Sequence, residues 1–407
     1  MKQFEIPEYY RSPIISKVKN QRKLQDPRKK DFTPTVLNFG KVEFLIARHF
    51  GFCYGVENAI EISYRAIHEN PGKKIYLLSQ MIHNPGVNED LQSYGIEFIQ
   101  DTYGKQLIPW ENIHAEDVVI IPAFGTTLET EAILASIGVD VKAYNTTCPF
   151  VEKVWNRSDK LGADQHTIII HGKAAHEETR ATFSHSASNA PSLVIKDIAE
   201  AQILCDIISG KRPDADFYEI FEGKYTPGFD PATALQKIGV VNQTTMLATE
   251  TQEITDMLRQ TMIDKYGVED IKNHIADTRD TLCYATNDNQ SATYGLMENE
   301  ADLAIVVGGN NSSNTTHLVE LLETKFKTYF ITSSENILNA DEIVSFDIHG
   351  KQDQHFDAFL PLAQEKIRIA ITSGASCPDA VVDGVIQKIL TLLDIDQSID
   401  TVLNQIQ

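Results

Sequence analysis

The sequence predicts an α/β protein with mainly parallel sheets. From about Val42 onward, short runs rich in Val and Ile alternate with helical patterns, and such continuous apolar runs are what strands buried on both faces require. The residues that follow several of these runs are rich in Gly, Ser, Thr, Asn and His, as befits ligand sites beyond the carboxyl ends of strands. A chain of 407 residues with 42% hydrophobic content is long enough for two or three domains with their own cores.

In chain order, the first forty or so residues stand apart. They carry Lys17, Lys19, Arg22, Lys23, Arg28, Lys29 and Lys30 with four prolines and no clear apolar period. They read as an extension, 1–41, partly ordered against the body. A transit peptide is poorly supported, because Glu5, Glu8, Asp26 and Asp31 are acidic and Ser is scarce. Strands are then expected at VEFLIA (42–47), KIYLLS (74–79), VVIIPA (118–123), TIIIHG (167–172), IGVVNQ (238–243), LAIVVGG (303–309), TYFITS (328–333) and RIAITSG (368–374). Between them, Val56, Ala59, Ile60, Tyr64 and Ile67 share one helical face. Thr249 and Gln252 form the pattern of a capping box before Ile254, Met257, Leu258 and Met262, with Gly267 as the stop. The Gly- and Pro-rich stretch 206–237 reads as a surface insertion.

Composition limits the function. The formal charge of −21 argues against broad binding to nucleic acid or anionic membrane. Five cysteines fit a reducing compartment better than a disulfide scaffold. With no apolar run of membrane-spanning length and no signal peptide pattern, the chain reads as soluble and cytoplasmic. Neither GxxxxGK[ST] nor a helix-opening GxGxxG occurs, so P-loop and Rossmann nucleotide sites are not supported.

Cys53, Cys148 and Cys283 each stand where an apolar run breaks into a polar turn before a helical pattern, in GFCYGVENAI, TTCPFVEKVW and TLCYATNDNQ. That recurrence suggests one cofactor held by three distant parts of the chain. Thiolates at helix N-termini have lowered pKa values and ligate soft metal, and three of them leave one position of a cluster open. The plainer alternative is three buried small hydrophobes. The loops HGKAAHEET, NQTTM, GGNNSSNTTHL and TSGAS could form an anion site from hydroxyl, amide and backbone N–H donors. Alternatively they are N-caps, for which the same residues are preferred. Glu178 stands at an expected helix start, where it is either a favourable dipole charge or, if desolvated, a proton donor.

Taken together, GFCYGVENAI, MIHNPGV, NTTCPFVEKVW, HGKAAHEET, NQTTML, CYATNDNQ, VVGGNNSSNTTHL and TSGASCPD, in this order, closely resemble the 4-hydroxy-3-methylbut-2-enyl diphosphate reductase (LytB/IspH) family over roughly 42–390, and its plant and cyanobacterial branch in particular. The resemblance implies an iron–sulfur enzyme that removes an allylic hydroxyl reductively at the end of the methylerythritol phosphate route, giving isopentenyl and dimethylallyl diphosphate. It implies a 4Fe-4S cluster on Cys53, Cys148 and Cys283 with one open iron, and Glu178 as proton donor. Thr244 would support the hydroxyl and the proton relay, while His83, His176, Ser312, Ser313, Asn314 and Ser376 would hold the diphosphate. A ferredoxin or flavodoxin type electron donor is implied as well. The implied fold is three α/β modules around the cluster, at 54–147, 148–282 and 283–391, the last completed by strand 42–53, with 392–407 as a tail.

Two positions depart from the family pattern. Phe124 stands where many bacterial members have His, which removes one diphosphate contact, and Cys377 precedes Pro378 much as Cys148 precedes Pro149. A fourth thiolate would close the open iron, so Cys377 is not expected to be a ligand. Cys205, in QILCDII, reads as a core residue. Two other classes stay open: a cluster-dependent dehydratase with no net electron transfer, and a non-catalytic iron–sulfur redox sensor.

Overall fold

The structure, a computed structural model, describes residues 5–276, 281–397 and 399–403. Residues 1–4 of the expected extension, and 398 and 404–407 of the expected tail, lie outside the described residues. The strands are β1 (Thr35–Asn38), β2 (Val42–Ile46), β3 (Ile75–Leu77), β4 (Glu97–Phe98), β5 (Val118–Ile120), β6 (Thr167–His171), β7 (Ser192–Ile195), β8 (Ile238–Asn242), β9 (Leu303–Val307), β10 (Thr328–Ile331), β11 (Ile343–Asp347), β12 (Gln352–Phe356) and β13 (Ile367–Ser373). All eight expected strands are present. The chain divides into two compact units, one of Met1–Glu57, His83–Val87 and Tyr284–Gln407, the other of Asn58–Ile82 and Asn88–Cys283.

The first unit is built on a five-stranded sheet of order β1-β2-β13-β9-β10. Its strands are parallel except β1, which runs antiparallel to β2. Phe44, Ile305, Phe330, Ile369 and Ile371 form its core with Leu318, Leu322, Val385 and Ile389 from the helices Ser313–Glu323 and Asp379–Leu392. The extension belongs to this core. Ser12 accepts the N–H of Ile15 and so caps the helix Pro13–Gln25, which buries Ile15 and Val18. Two apolar residues make a stripe too narrow to register as a period, yet burying each contributes about 1.5–3 kcal/mol. The antiparallel hairpin β11-β12 lies outside the main sheet.

The second unit contains two three-stranded parallel sheets, β4-β3-β5 and β7-β6-β8. In β6, Ile169 packs with Leu204, Ile254 and Leu258, while Ile168 and Ile170 join Val154 and Leu161 in a separate cluster. The period of two thus feeds two cores at once, and this is why the strand reads as an unbroken apolar run. The stretch 206–237 is not confined to the surface. Its helix Ala215–Ile220 and following loop bury Phe217, Phe221 and Phe229 in the core, with the Phe217 and Phe229 rings stacked at 4.9 Å. The expected capping box is absent: the helix Ala248–Tyr266 starts at Leu247 without a side-chain cap, and Gln252 donates to Asp256 instead. Gly267 does end it, and Cys205 is buried in the core as expected.

The two three-stranded sheets and the parallel part of the five-stranded sheet share one plan. In each, one strand lies between two later strands of the chain: β3 between β4 and β5, β6 between β7 and β8, and β9 between β10 and β13. Beside the last of these a further parallel segment pairs: Asn145 with Ile121 beyond β5, Ile275 with Ile238 of β8, and β2 with β13. Each such segment leads to a cysteine: 145 to Cys148, 275 to Cys283, and β2 to Cys53.

Candidate functional site

All three cysteines stand at the start of a helix, before Tyr54–Glu69, Pro149–Ala163 and Tyr284–Met297. Each is tied back to the loop leaving the neighbouring strand. The N–H of Cys148 donates to Ala123 O at 2.9 Å, that of Cys283 to Thr244 O at 3.1 Å, and that of Cys53 to Ala375 O at 3.3 Å. One construction is used three times. None of the three is fully buried, whereas Cys205 and Cys377 are.

In the second unit this construction brings Cys148, Cys283, Glu178 and Thr244 together. The Thr244 N–H donates to Glu178 Oε1 at 2.5 Å and its hydroxyl to Oε2 at 2.9 Å. Burial pushes the Glu178 carboxyl up to about 7, against the lowering effect of both Thr244 bonds. Cys148 departs from the expectation for a helix N-terminus. Burial pushes its thiol up to about 12, Cys283 and Glu178 act in the same direction, and the N–H groups of Phe150 and Val151 offset only part of this.

His176 caps the helix Glu177–Ala187, its Nδ1 facing the N–H of Glu178 at 3.2 Å. With Nδ1 accepting, the neutral ring carries its proton on Nε2 and is a hydrogen-bond donor there. Phe124 packs edge-on against this imidazole, with ring centroids 5.6 Å apart. Gln243 gathers the surrounding loops: its Oε1 accepts from Thr179 Oγ1 at 2.9 Å and from the Lys173 N–H at 3.1 Å. Glu177 is also buried and accepts from Ser79 Oγ.

In the first unit, Ala375 is the shared point. Its carbonyl accepts from Cys53 and its N–H donates to Asn314 Oδ1 at 2.9 Å. The next residue, Ser376, donates its hydroxyl to His83 O at 3.0 Å. Ser312 caps the helix Ser313–Glu323, its hydroxyl accepting from the N–H and the Oγ1 of Thr315. Ser313 Oγ and Asn314 Nδ2 are buried and make no hydrogen bond within the protein, an arrangement that favours an anionic ligand at this helix N-terminus. Gly309 belongs here too, because a Cβ on it would strike the His83 carbonyl. Tyr54 and Tyr284, each following a cysteine in the chain, are joined by the Tyr54 N–H donating to Tyr284 Oη at 2.9 Å.

The structure therefore gathers Glu178, Thr244, His176, Cys148 and Cys283 in one unit, and Cys53, His83, Ser312, Ser313, Asn314 and Ser376 in the other. Among the described residues no three His, Cys, Asp or Glu side chains form a group placed to hold a metal ion. Sequence reasoning missed Asn289, whose Nδ2 lies 3.4 Å from Asn314 Oδ1, and Gln243. The signal for Asn289 was available: NDNQ is a polar run on a helix whose Asn289 and Gln290 are buried.

Comparison with known proteins adds a separate line of evidence. The family model described as LytB protein matches residues 44–390. A Synechococcus sp. (strain RCC307) protein named 4-hydroxy-3-methylbut-2-enyl diphosphate reductase is 39% identical over 362 residues, covering 89% of this chain and 86% of its own length. A Synechocystis sp. (strain ATCC 27184 / PCC 6803 / Kazusa) protein of the same name is 38% identical over 357 residues, covering 88% of this chain and 91% of its own. Among solved structures, (E)-4-hydroxy-3-methyl-but-2-enyl diphosphate reductase matches at TM-score 0.52 and 24% identity, over 86% of this chain and 99% of that one. The Plasmodium falciparum E-1-hydroxy-2-methyl-but-2-enyl-4-diphosphate reductase matches at TM-score 0.59 and 19% identity, over 86% and 87%. At such identities these two structures speak to the fold alone.

Proposed function

This chain belongs to the LytB protein family, and on that premise we propose that it is a 4-hydroxy-3-methylbut-2-enyl diphosphate reductase. The overall change breaks the allylic C–O bond of the substrate. Two electrons and two protons enter, the hydroxyl leaves as water, and the allyl unit gains hydrogen to give isopentenyl or dimethylallyl diphosphate. The observation that carries this reading is Glu178, a buried carboxyl raised to about 7 and hydrogen-bonded through Thr244 to the loop that also holds Cys283.

An iron–sulfur cluster is the cofactor that the family implies, and the donor set fits it. Three thiols stand at helix starts, and the Cys148 thiol, pushed up to about 12, would ionise only beside positive charge. Cys53, Cys148 and Cys283 would hold the cluster. When bound, it supplies the electrons and an open iron acting as Lewis acid toward the substrate hydroxyl.

The chain's own residues supply the rest. With its acidity near 7, Glu178 still holds a proton in about half of the molecules at neutral pH, where an ordinary Glu has lost it. In that state Oε2–H donates to Thr244 Oγ1, which frees the Thr244 hydroxyl to pass its own proton to the departing oxygen. After transfer the carboxylate accepts from both Thr244 donors. Ser313 Oγ and Asn314 Nδ2 would be neutral donors for the diphosphate, and the family likeness adds His176. Phe124 donates no hydrogen bond there and instead keeps the His176 ring in place. Ser312 and Ser376 act mainly by holding the helix start and the His83 loop.

The shared sheet plan supports three modules at 54–147, 148–282 and 283–391, the last completed by 42–53, with 1–41 as extension and 392–407 as tail. No helix among the described residues is long and apolar enough to cross a membrane, in keeping with a cytoplasmic enzyme served by a ferredoxin or flavodoxin type donor. The deciding experiment is anaerobic turnover of the hydroxylated diphosphate with and without dithionite. Product formation only with reductant is expected. Consumption of substrate without reductant would mean a dehydratase, and tight cluster loading with no consumption at all would mean a sensor.

A further inference from the structure

Although the whole chain carries a charge of −21, positions 11–30 contain eight Lys and Arg against the single acid Asp26. Arg11, Lys17, Lys23, Arg28, Lys29 and Lys30 are exposed. On the helix Pro13–Gln25, Ile15 and Val18 face the core, and the opposite side carries Lys17 and, seven residues on, Leu24, a bare leucine 84% exposed. This exposed face is a strip of like positive charge on an acidic protein, the electrostatic footprint that steers a partner of opposite sign.

This surface is fastened residue by residue to the loop that runs into Cys53. Arg48 donates to Arg22 O and Asp26 O at 3.4 and 3.3 Å. His49 meets the Phe32 ring edge-on at 5.9 Å, and Lys19 sits 4.6 Å from the centroid of Phe50 while pairing with Asp379 at 2.6 Å. Gly51 has φ +75°, and a Cβ there would lie 3.1 Å from Lys19 Nζ and 2.6 Å from Asp379 Oδ1. Phe52 packs edge-on against Tyr10 at 5.8 Å. Five consecutive residues before the cysteine are thus held by the extension.

Resting on the reductase reading, we propose that the extension, from Arg11 to Lys30, is the docking surface for an acidic one-electron carrier protein. Charge complementarity selects such a partner, since a basic patch on a strongly acidic protein steers an acidic one to that patch and repels it elsewhere. Docking there places the carrier over the packed loop that ends in Cys53. Each visit oxidises the carrier by one electron, and two visits supply the two electrons that C–O cleavage consumes.

The test uses the cluster-loaded enzyme with the substitutions Lys17→Glu, Lys23→Glu and Lys30→Glu combined, and a second variant with the same three changed to Gln. With an acidic [2Fe–2S] ferredoxin as reductant at low ionic strength, the Glu variant should show KM for ferredoxin raised about tenfold or more, with its salt dependence flattened. The Gln variant should show a smaller shift in the same direction. Calorimetric binding of oxidised ferredoxin should weaken in parallel, while turnover driven by dithionite stays at the parental rate. Unchanged ferredoxin KM and binding in the Glu variant would overturn the docking surface and leave the reductase reading standing. Parental enzyme that turns over with neither reductant would overturn the reductase reading itself.

Discussion

Thr244 grips both oxygens of the Glu178 carboxyl, through its backbone N–H at 2.5 Å and its hydroxyl at 2.9 Å, and still leaves the group far less acidic than a free glutamic acid. Burial outweighs two favourable hydrogen bonds. The carboxyl is raised from 4.5 to about 7, so the folded chain binds this proton more tightly than the unfolded chain does. The associated stability is fully present below about pH 4.5 and is lost as pH rises through 7. Metal-free Glu178→Gln, which mimics the protonated form, should therefore match the parent near pH 4. At pH 8.5 it should be more stable by up to about 3 kcal/mol. Urea midpoints at the two pH values check this, and a constant difference would refute the raised acidity.

Turnover should tell the same story. Glu178→Gln keeps shape and hydrogen bonding but has no acidic proton, so substrate should still bind while kcat falls about 10²-fold or more. If its only defect lies in affinity, Glu178 is a helix-start charge and the proton comes from elsewhere.

Thr244→Val removes the hydroxyl but keeps the N–H bond to Glu178. Losing a donor to the carboxylate should move the basic limb of the kcat profile to higher pH, and losing the relay should lower its plateau. Thr244→Ser should restore both. A Val variant with the parental profile would remove the hydroxyl from the proton path.

Much of this arrangement was legible because burial on both faces leaves an unbroken apolar run. Ile168, Ile169 and Ile170 feed two cores from one strand, and the eight strands of that kind were all found. The cysteines were legible because each breaks such a run just before a helix. Elements with one wet face gave no such signal: β1 alternates buried and exposed, and β12 is nowhere fully buried. The capping box failed because its two residues lie inside the helix, at its second and fifth positions, past the true N-cap at Leu247. Cys148 illustrates a different limit. Its helix position argues for an acidic thiol, but burial is set by distant parts of the chain and prevails.

The cofactor assignment predicts a sharp division among the five cysteines. Replacing Cys53, Cys148 or Cys283 by Ser should abolish the brown absorbance of the cluster, whereas Cys205→Ala and Cys377→Ala should retain it. Both of the latter are buried, so each should cost about 1–2 kcal/mol through the small cavity left behind. A full cluster in Cys148→Ser would sink the ligand assignment.

Asn314 separates anion binding from chemistry. Its Oδ1 accepts from Ala375, while Nδ2 is buried and makes no hydrogen bond within the protein, so a ligand oxygen is the partner it lacks. Asn314→Ala should weaken inorganic pyrophosphate binding by about 1–3 kcal/mol, the scale for a lost hydrogen bond to a charged group. Asn314→Asp is the more telling variant. It can still accept from Ala375 but replaces the donor with a negative charge, so it should bind pyrophosphate more weakly than the Ala variant does. Were Nδ2 only a buried amide packed for shape, Asp and Ala would bind pyrophosphate alike, and calorimetric titration of the two variants distinguishes the cases.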